Sequence, residues 1–316
     1  MRFATDDRTS AESMFPNPRN SAFAMRDATR LAAVSALLAP AAVFMFDLPL
    51  MKSPAAFAAA GLFVSSIWWN RLVTLPYWLY VRSIDRVSFQ RFVFLATGAC
   101  IAIIFRYGEA VTGDFVSISL LSIAAVIAVR TTWLLIRSRS ARTVRIAPPF
   151  ASGQFAVFHG GPCAPLNAHH GVPEQRFAVD IVRIGTDGRR ASSFYPIASE
   201  EFYAFETPIV SPVTGTIVDA ADGFDDDGMW SKDEAPMYGN HVLIRCPLGD
   251  LVIAHCKQGS VAVAIGDRVS VGQPIGLIGN SGNSSEPHLH IHLERDGEGV
   301  LFDFGKPLYR NQFFTV

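Results

Sequence analysis

The sequence predicts a chain in two unlike parts: about four transmembrane α-helices, then an all-β antiparallel domain built as a sandwich or partly open barrel. Three observations carry this. Half of the 316 residues are hydrophobic and only 17% are charged, below the roughly 25% of an ordinary soluble domain. Charge is also divided by position: residues 1–145 carry 16 Lys/Arg against 8 Asp/Glu, and residues 146–316 carry 11 against 20. Finally, the long apolar runs are confined to the first part, and period-two alternation bounded by Gly and Pro begins beyond Ile146.

After a polar tail over 1–30, the first apolar run covers 31–50, enough for the roughly 20 residues a bilayer core requires. A second run covers about 55–81, with Trp68, Trp69, Tyr77, Trp78 and Tyr80 of the kind that favour the headgroup region. The third covers about 90–106 and the fourth about 115–136. Some thirty residues precede the first run and three more runs follow it, so it does not read as a cleavable leader. Arg130 lies inside the fourth run, where snorkelling to the interface is favoured over an ionisable site inside the bundle. No motif on these segments suggests a transport pathway, so 31–145 is expected to be an anchor in a lipid bilayer.

Lys/Arg counts bear on orientation. Arg2, Arg8, Arg19, Arg26 and Arg30 precede the first run, Arg82, Arg86 and Arg91 follow the second, and Arg137, Arg139, Arg142 and Arg145 follow the fourth. With four spans, that pattern places both termini on the cytoplasmic side. One span fewer reverses the answer for the C-terminal part, and the second run, which contains Arg71, is the weakest of the four.

Pro148-Pro149 and the Gly-rich stretch that follows mark the boundary of a domain over 146–316, with its core about 155–310. Val/Ile alternation over 207–220, 240–246, 250–256, 259–279 and 287–295 reads as strands, and Pro247-Leu248-Gly249 reads as a hairpin turn. The pair TPIVSPVTGTIV and VSVGQPIGLIG also suits a carrier hammerhead, but no lysine is presented between the two segments. Cys100, Cys163, Cys246 and Cys256 show no CxxC or CxxH spacing, and three in one domain cannot all pair, so buried thiols are expected. The acidic balance is the wrong sign for phosphate contacts and excludes nucleic acid as a partner.

All eight histidines lie in this acidic part. On a strand, side chains at i and i+2 share a face about 6.5–7 Å apart, so PHLHIHL places His288, His290 and His292 on one face. His255 lies on another strand, and NAHHGVPEQRFAVDIV offers His169, His170 and Asp180. Two imidazoles and one carboxylate leave a tetrahedral Zn²⁺ one open position, the catalytic arrangement. Two further histidines would then hold the attacking water and the developing oxyanion.

These residues, with YGNHVLI, the AH pair at 254–255 and GDRVSVGQPIGLIGNSGNSSEPHLHIHL, resemble the lysostaphin-like (LytM-type) zinc metallopeptidases, which cleave peptide bonds in bacterial peptidoglycan. The resemblance covers about 155–310. It implies one Zn²⁺ held by His169, Asp180 and His290, with His255 and His288 as catalytic histidines. The family commonly places three residues between its first His and its Asp, whereas ten separate His169 from Asp180. A longer variant, N-x-H followed by QRYAxD, is similar to NAHHGVPEQRFAVD and favours His169 over His170. Cys256 stands where the family usually has Leu and is read as packing; His292 is read as a flanking residue, and His159 and His241 have no motif support. Asn240, Asn280, Ser281 and Asn283 suit turns better than a cleft, and the acidic run 222–234 lacks the register of a calcium loop and reads as solvated.

The function expected from the sequence is therefore a membrane-anchored zinc metalloendopeptidase acting on peptidoglycan peptides. Two alternatives stand beside it: a non-catalytic binding module that keeps the zinc, and a metallopeptidase facing the cytoplasm with a protein substrate. Peptidoglycan lies outside the membrane, so the expected substrate and the Lys/Arg counts pull the catalytic domain to opposite sides.

Overall fold

The computed structural model describes residues 59–67, 70, 97–98, 100–101 and 115–316, apart from 194–195 and 227–235. The first apolar run lies outside the described residues. The second and third are described only in short pieces, all of them helical. The fourth forms helix α1, Phe115–Ser140, four residues longer than the apolar run because Arg137 and Arg139 suit the negative end of a helix. Within it Leu121–Ser140 has a mean hydropathy of 1.4, and it is the one helix among the described residues long and apolar enough to cross a membrane. Two of its hydroxyls are buried: Thr131 and Ser138 donate to the carbonyls of Ile127 and Leu134 at 2.8 and 2.7 Å. Arg130 is exposed on its surface. Asn70 of the second run donates to Thr131 Oγ1 at 2.8 Å, and Leu134 is buried against Cys163 and Leu166 of the following domain.

The strands, in chain order, are β1 (Val144–Arg145), β2 (Gln154–His159), β3 (Val179–Ile184), β4 (Pro208–Val210), β5 (Gly215–Ala221), β6 (Asn240–Cys246), β7 (Gly249–Cys256), β8 (Arg268–Val269), β9 (Pro274–Leu277), β10 (Leu289–Arg295), β11 (Glu298–Gly299), β12 (Phe302–Asp303) and β13 (Phe313–Thr315). Nine form one antiparallel sheet in the order β13-β2-β3-β10-β7-β6-β5-β8, with β11 folded back on β10. β4 and β9 form a separate antiparallel pair whose Ile209 and Ile275 enter the same core. The expected sandwich is thus unequal, one large sheet with a small companion. The fully antiparallel expectation also needs a correction. β1 pairs with β12 in parallel, because the chain leaving α1 runs alongside Phe302–Asp303 from far along the sequence, where no hairpin cue exists.

Alternation does the sorting on the large sheet. Leu289, Ile291 and Leu293 of β10, Leu251 and Ile253 of β7, and Val179 and Ile181 of β3 enter one core, each largely or wholly buried. Each such aliphatic side chain contributes roughly 1.5–3 kcal/mol by leaving water. The opposite face of the same strands carries Asp180, His290 and His292, also buried. The turn at Pro247-Leu248 forms as expected, with Cys246 facing Gly249 in the ladder. Cys163 and Cys256 are buried free thiols, and burial pushes the Cys256 thiol up to about 12.

Two glycines hold the β6 entry against the turn before β10. Gly239 and Gly282 have φ of +56° and +73°, and a Cβ on Gly282 would lie 2.3 Å from the Gly239 nitrogen. Gly282→Ala therefore combines a left-handed backbone with a backbone clash and should cost about 1–3 kcal/mol or more. Urea denaturation of the full chain checks this; a midpoint equal to wild type would show that the contact is not required.

Candidate metal centre

Asp180 and His290 are direct cross-strand partners on β3 and β10, so the sheet register alone brings a carboxylate beside an imidazole. His169 arrives from a one-turn 3-10 helix, Ala168–Gly171. Its cap is Asn167, which is buried; Oδ1 accepts from the His169 amide at 3.1 Å, and Nδ2 donates to the carbonyls of Gly161, Arg176 and Ala178. A single amide thus ties the loop to β3 and aims His169 at Asp180. His169 Nε2 lies 2.8 Å from Asp180 Oδ2, and His290 Nδ1 lies 2.9 Å from Asp180 Oδ1. One candidate ligand atom from each of the three residues lies within 4.8 Å of the others. His170 turns the other way, its ring 6.2 Å from that of Phe177.

This donor set fits zinc. Two imidazole nitrogens and one carboxylate oxygen are the ligands of a three-coordinate catalytic site, and ligand atoms on a tetrahedral Zn²⁺ stand about 3.3 Å apart, close to the spacings already present. Burial works to raise the Asp180 carboxylate, but the imidazoles of His169 and His288, with hydrogen bonds from His169 and His290, hold it well below its ordinary range. Burial pulls the His169 imidazole down, yet Asp180 outweighs it and raises it overall. His290 is lowered, chiefly by burial.

His255 and His288 stand beside this cluster with ring centroids 4.9 Å apart. His255 Nδ1 lies 2.8 Å from the Ser281 carbonyl, and His288 Nδ1 lies 2.7 Å from the Glu286 carbonyl. A carbonyl only accepts, so each of these Nδ1 atoms carries a proton. His288 Nε2 is 3.6 Å from Asp180 Oδ1. Burial, then the neighbouring His288 and His290, hold the His255 imidazole well below its ordinary range, so it is neutral at pH 7.

Strict alternation from Ile253 would have buried His255 in the core. A bulge between Val242 and Asn240 adds one residue to β7, and His255 adopts φ +60°, which is strained for a non-glycine residue. The result sends Cys256 into the core and His255 to the other face. Asn240 fastens this kink: Nδ2 donates to the Cys256 carbonyl at 3.1 Å and to the Phe224 carbonyl at 2.7 Å. Ser281 donates to the same Cys256 carbonyl and accepts from the Asn240 amide.

Several neighbours were not singled out by the sequence. His159, dismissed above, lies beside the centre with its ring 5.9 Å from that of His169, delivered by a bulge between Val157 and His159. Burial pushes its imidazole down to about 4. Its Nδ1 is contacted by Arg310 of the uninterpreted LYRN stretch, and Arg310 also donates to the Phe158 carbonyl at 3.1 Å. No sequence spacing signals either residue, because the bulge and the return of β13 create the contact. The acidic run is another correction. Asp222 accepts from the amides of Ser260 and Val261, and Asp226 from those of Gln258 and Asn280, so its first part caps backbone rather than floating in solvent; 227–235 lie outside the described residues.

Comparison with known proteins adds three findings. Residues 201–301 match the family model described as Peptidase family M23. The murein hydrolase activator EnvC of Escherichia coli K12 is 26% identical over 123 residues, which cover 37% of this chain and 29% of EnvC. Among solved structures, the prophage-encoded M23 protein EnpA of Enterococcus faecalis is 18% identical, covering 49% of this chain and 93% of that one with a TM-score of 0.30. A zinc-containing peptidase from Vibrio cholerae is 18% identical over 39% of this chain and 48% of its own, with a TM-score of 0.24. The family match takes in His255, His288 and His290; His169 and Asp180 precede it, Asp180 joined to His290 by the sheet and His169 to Asp180 by its side chain. The stretch 201–301 thus supports an M23 peptidase domain in this chain.

Proposed function

We propose that this protein is a membrane-anchored zinc metalloendopeptidase that hydrolyses peptide bonds of bacterial peptidoglycan, in crosslinks or stem peptides. One observation carries the reading: His169, Asp180 and His290 converge as a three-ligand cluster beside two buried histidines, His255 and His288, whose Nδ1 atoms are held on backbone carbonyls. A zinc ion held by those three residues would supply Lewis acidity, lowering the pKa of a water to about 7 and polarising the scissile carbonyl. His255 and His288 offer what the chain itself must add. With Nδ1–H engaged on a carbonyl, each presents Nε2 to take a proton from water, hold it, and return it to the leaving amine. The sheet holds both rings in place, so little reorganisation is needed as charge develops.

Peptidoglycan as substrate requires the domain to lie outside the cytoplasm, against the Lys/Arg distribution. Fusing the C-terminus to a reporter active only outside the cytoplasm, with a cytoplasm-only reporter as control, decides the side. A cytoplasmic C-terminus would sink the cell-wall role.

The name of EnvC, an activator, favours a second reading, a zinc-retaining module without hydrolysis that acts through a protein partner. His288→Ala separates the two. In an enzyme, zinc content stays at one per chain while peptidoglycan digestion falls by about 10²–10⁴-fold. In a binding module the wild type itself releases no peptide fragments.

A further inference from the structure

His292 lies two residues beyond His290 on the same face of β10, opposite Val252 of β7 and under the ring of Tyr238 at 5.6 Å. It is 1% exposed, its Nδ1 lies 3.0 Å from His290 Nε2, and its own Nε2 has no partner among the described residues. For stability this is a poor choice. A buried ring nitrogen without a partner is costly, and an apolar side chain would avoid that cost. The neighbour it does contact gives the position its meaning.

We propose that His292 is a positioning residue for the metal ligand His290. The inference rests on the metal-centre reading above. His290 has two ring nitrogens, and only Nδ1 belongs to the cluster with His169 and Asp180. A ligating imidazole keeps its proton on the other nitrogen and needs an acceptor there to set its tautomer and orientation. That nitrogen is Nε2, and its neighbour is His292 Nδ1. With a metal on Nδ1, His290 would donate from Nε2 to His292, which would place the His292 proton on its own Nε2. An imidazole is a weaker acceptor than the carboxylate often found in this role, so it orients His290 with less charge pushed towards the ion.

The test is zinc affinity of the full chain in detergent, measured by competition with a chromophoric chelator, for wild type, His292→Leu and His292→Asn. Leu keeps the bulk and removes the acceptor, and zinc binding should weaken about 10–100-fold. Asn places Oδ1 near the position of Nδ1 and should restore affinity to within a few fold. The metal-free Leu variant should melt at or above the wild-type temperature, which a purely structural role for His292 would not allow. Unchanged affinity in the Leu variant, or an Asn variant as weak as Leu, overturns the proposal while leaving the metal centre intact. A wild-type chain that binds no zinc overturns the metal-centre reading and this proposal together.

Discussion

Asp180→Asn should abolish both the stoichiometric zinc binding and the peptidoglycan hydrolysis proposed above. The substitution preserves shape but removes the one anion among the three candidate ligands, which stands in contact with His169 and His290 and near His288. Loss of a direct ligand should weaken zinc binding by more than the 10–100-fold typical of residues that only support a ligand. Metal analysis after dialysis against micromolar zinc checks this, and one zinc per chain in the variant would remove Asp180 from the site. The metal-free protein makes a further expectation. Asp180 has its carboxyl pKa lowered from 3.8 on folding, so its contribution is present above about pH 4 and lost as pH falls. His169 is raised from 6.5, so its contribution is present below that value and lost as pH rises through the folded one. The pair therefore stabilises the metal-free fold most between about pH 4 and 6.5. The difference in urea midpoint between wild type and the Asn variant should be largest in that range, since the buried histidines common to both cancel.

Glu286→Ala should be the most destabilising single change outside the ligands. Glu286 and Arg190 form an ion pair, Oε1 to Nε 3.2 Å, with side chains 4% and 5% exposed. That Nε–Oε1 contact is not an aligned hydrogen bond, and the guanidinium also sits over the ring of Phe202 at 5.2 Å. Removing the carboxylate leaves a buried, unpaired cation, at a cost of about 3–5 kcal/mol, roughly 10 °C or more in melting temperature for a domain of this size. The paired replacement Arg190→Met with Glu286→Leu should recover most of the loss, since neither charge then needs a partner. A Glu286→Ala chain within 1 °C of wild type would show that water already reaches the pair. The backbone carbonyl of Glu286 holds His288 Nδ1, so stability and the site are linked at this residue.

The strands of the second half were legible because burial on one face only imposes a period of two. Leu289, Ile291 and Leu293 go one way, His290 and His292 the other, and the sheet follows that pattern. The five residues assigned to the site could be named from motif and resemblance, and the sheet brings them together in one place. Their neighbours were not legible. Arg310 is 130 residues beyond Asp180 in the chain, and His292 looked like a bystander until its ring was seen against His290. The acidic run read as solvated because sequence shows charge and not which amides the charge caps.

Taken alone, the sequence determined the division into an apolar, basic first part and a β-rich, acidic second part, because composition and periodicity are local properties of the chain. It also determined which residue types could hold a metal, since His and Asp at strand spacing carry that chemistry wherever the strand goes. The tertiary structure supplied the physical reason for His169 over His170, an Asn167 cap that spans three separate carbonyls. It alone turned His255 out of the core, because the bulge on β7 and φ of +60° override alternation. Such choices depend on which backbone groups find partners across the sheet, and those partners are brought together only when the chain folds.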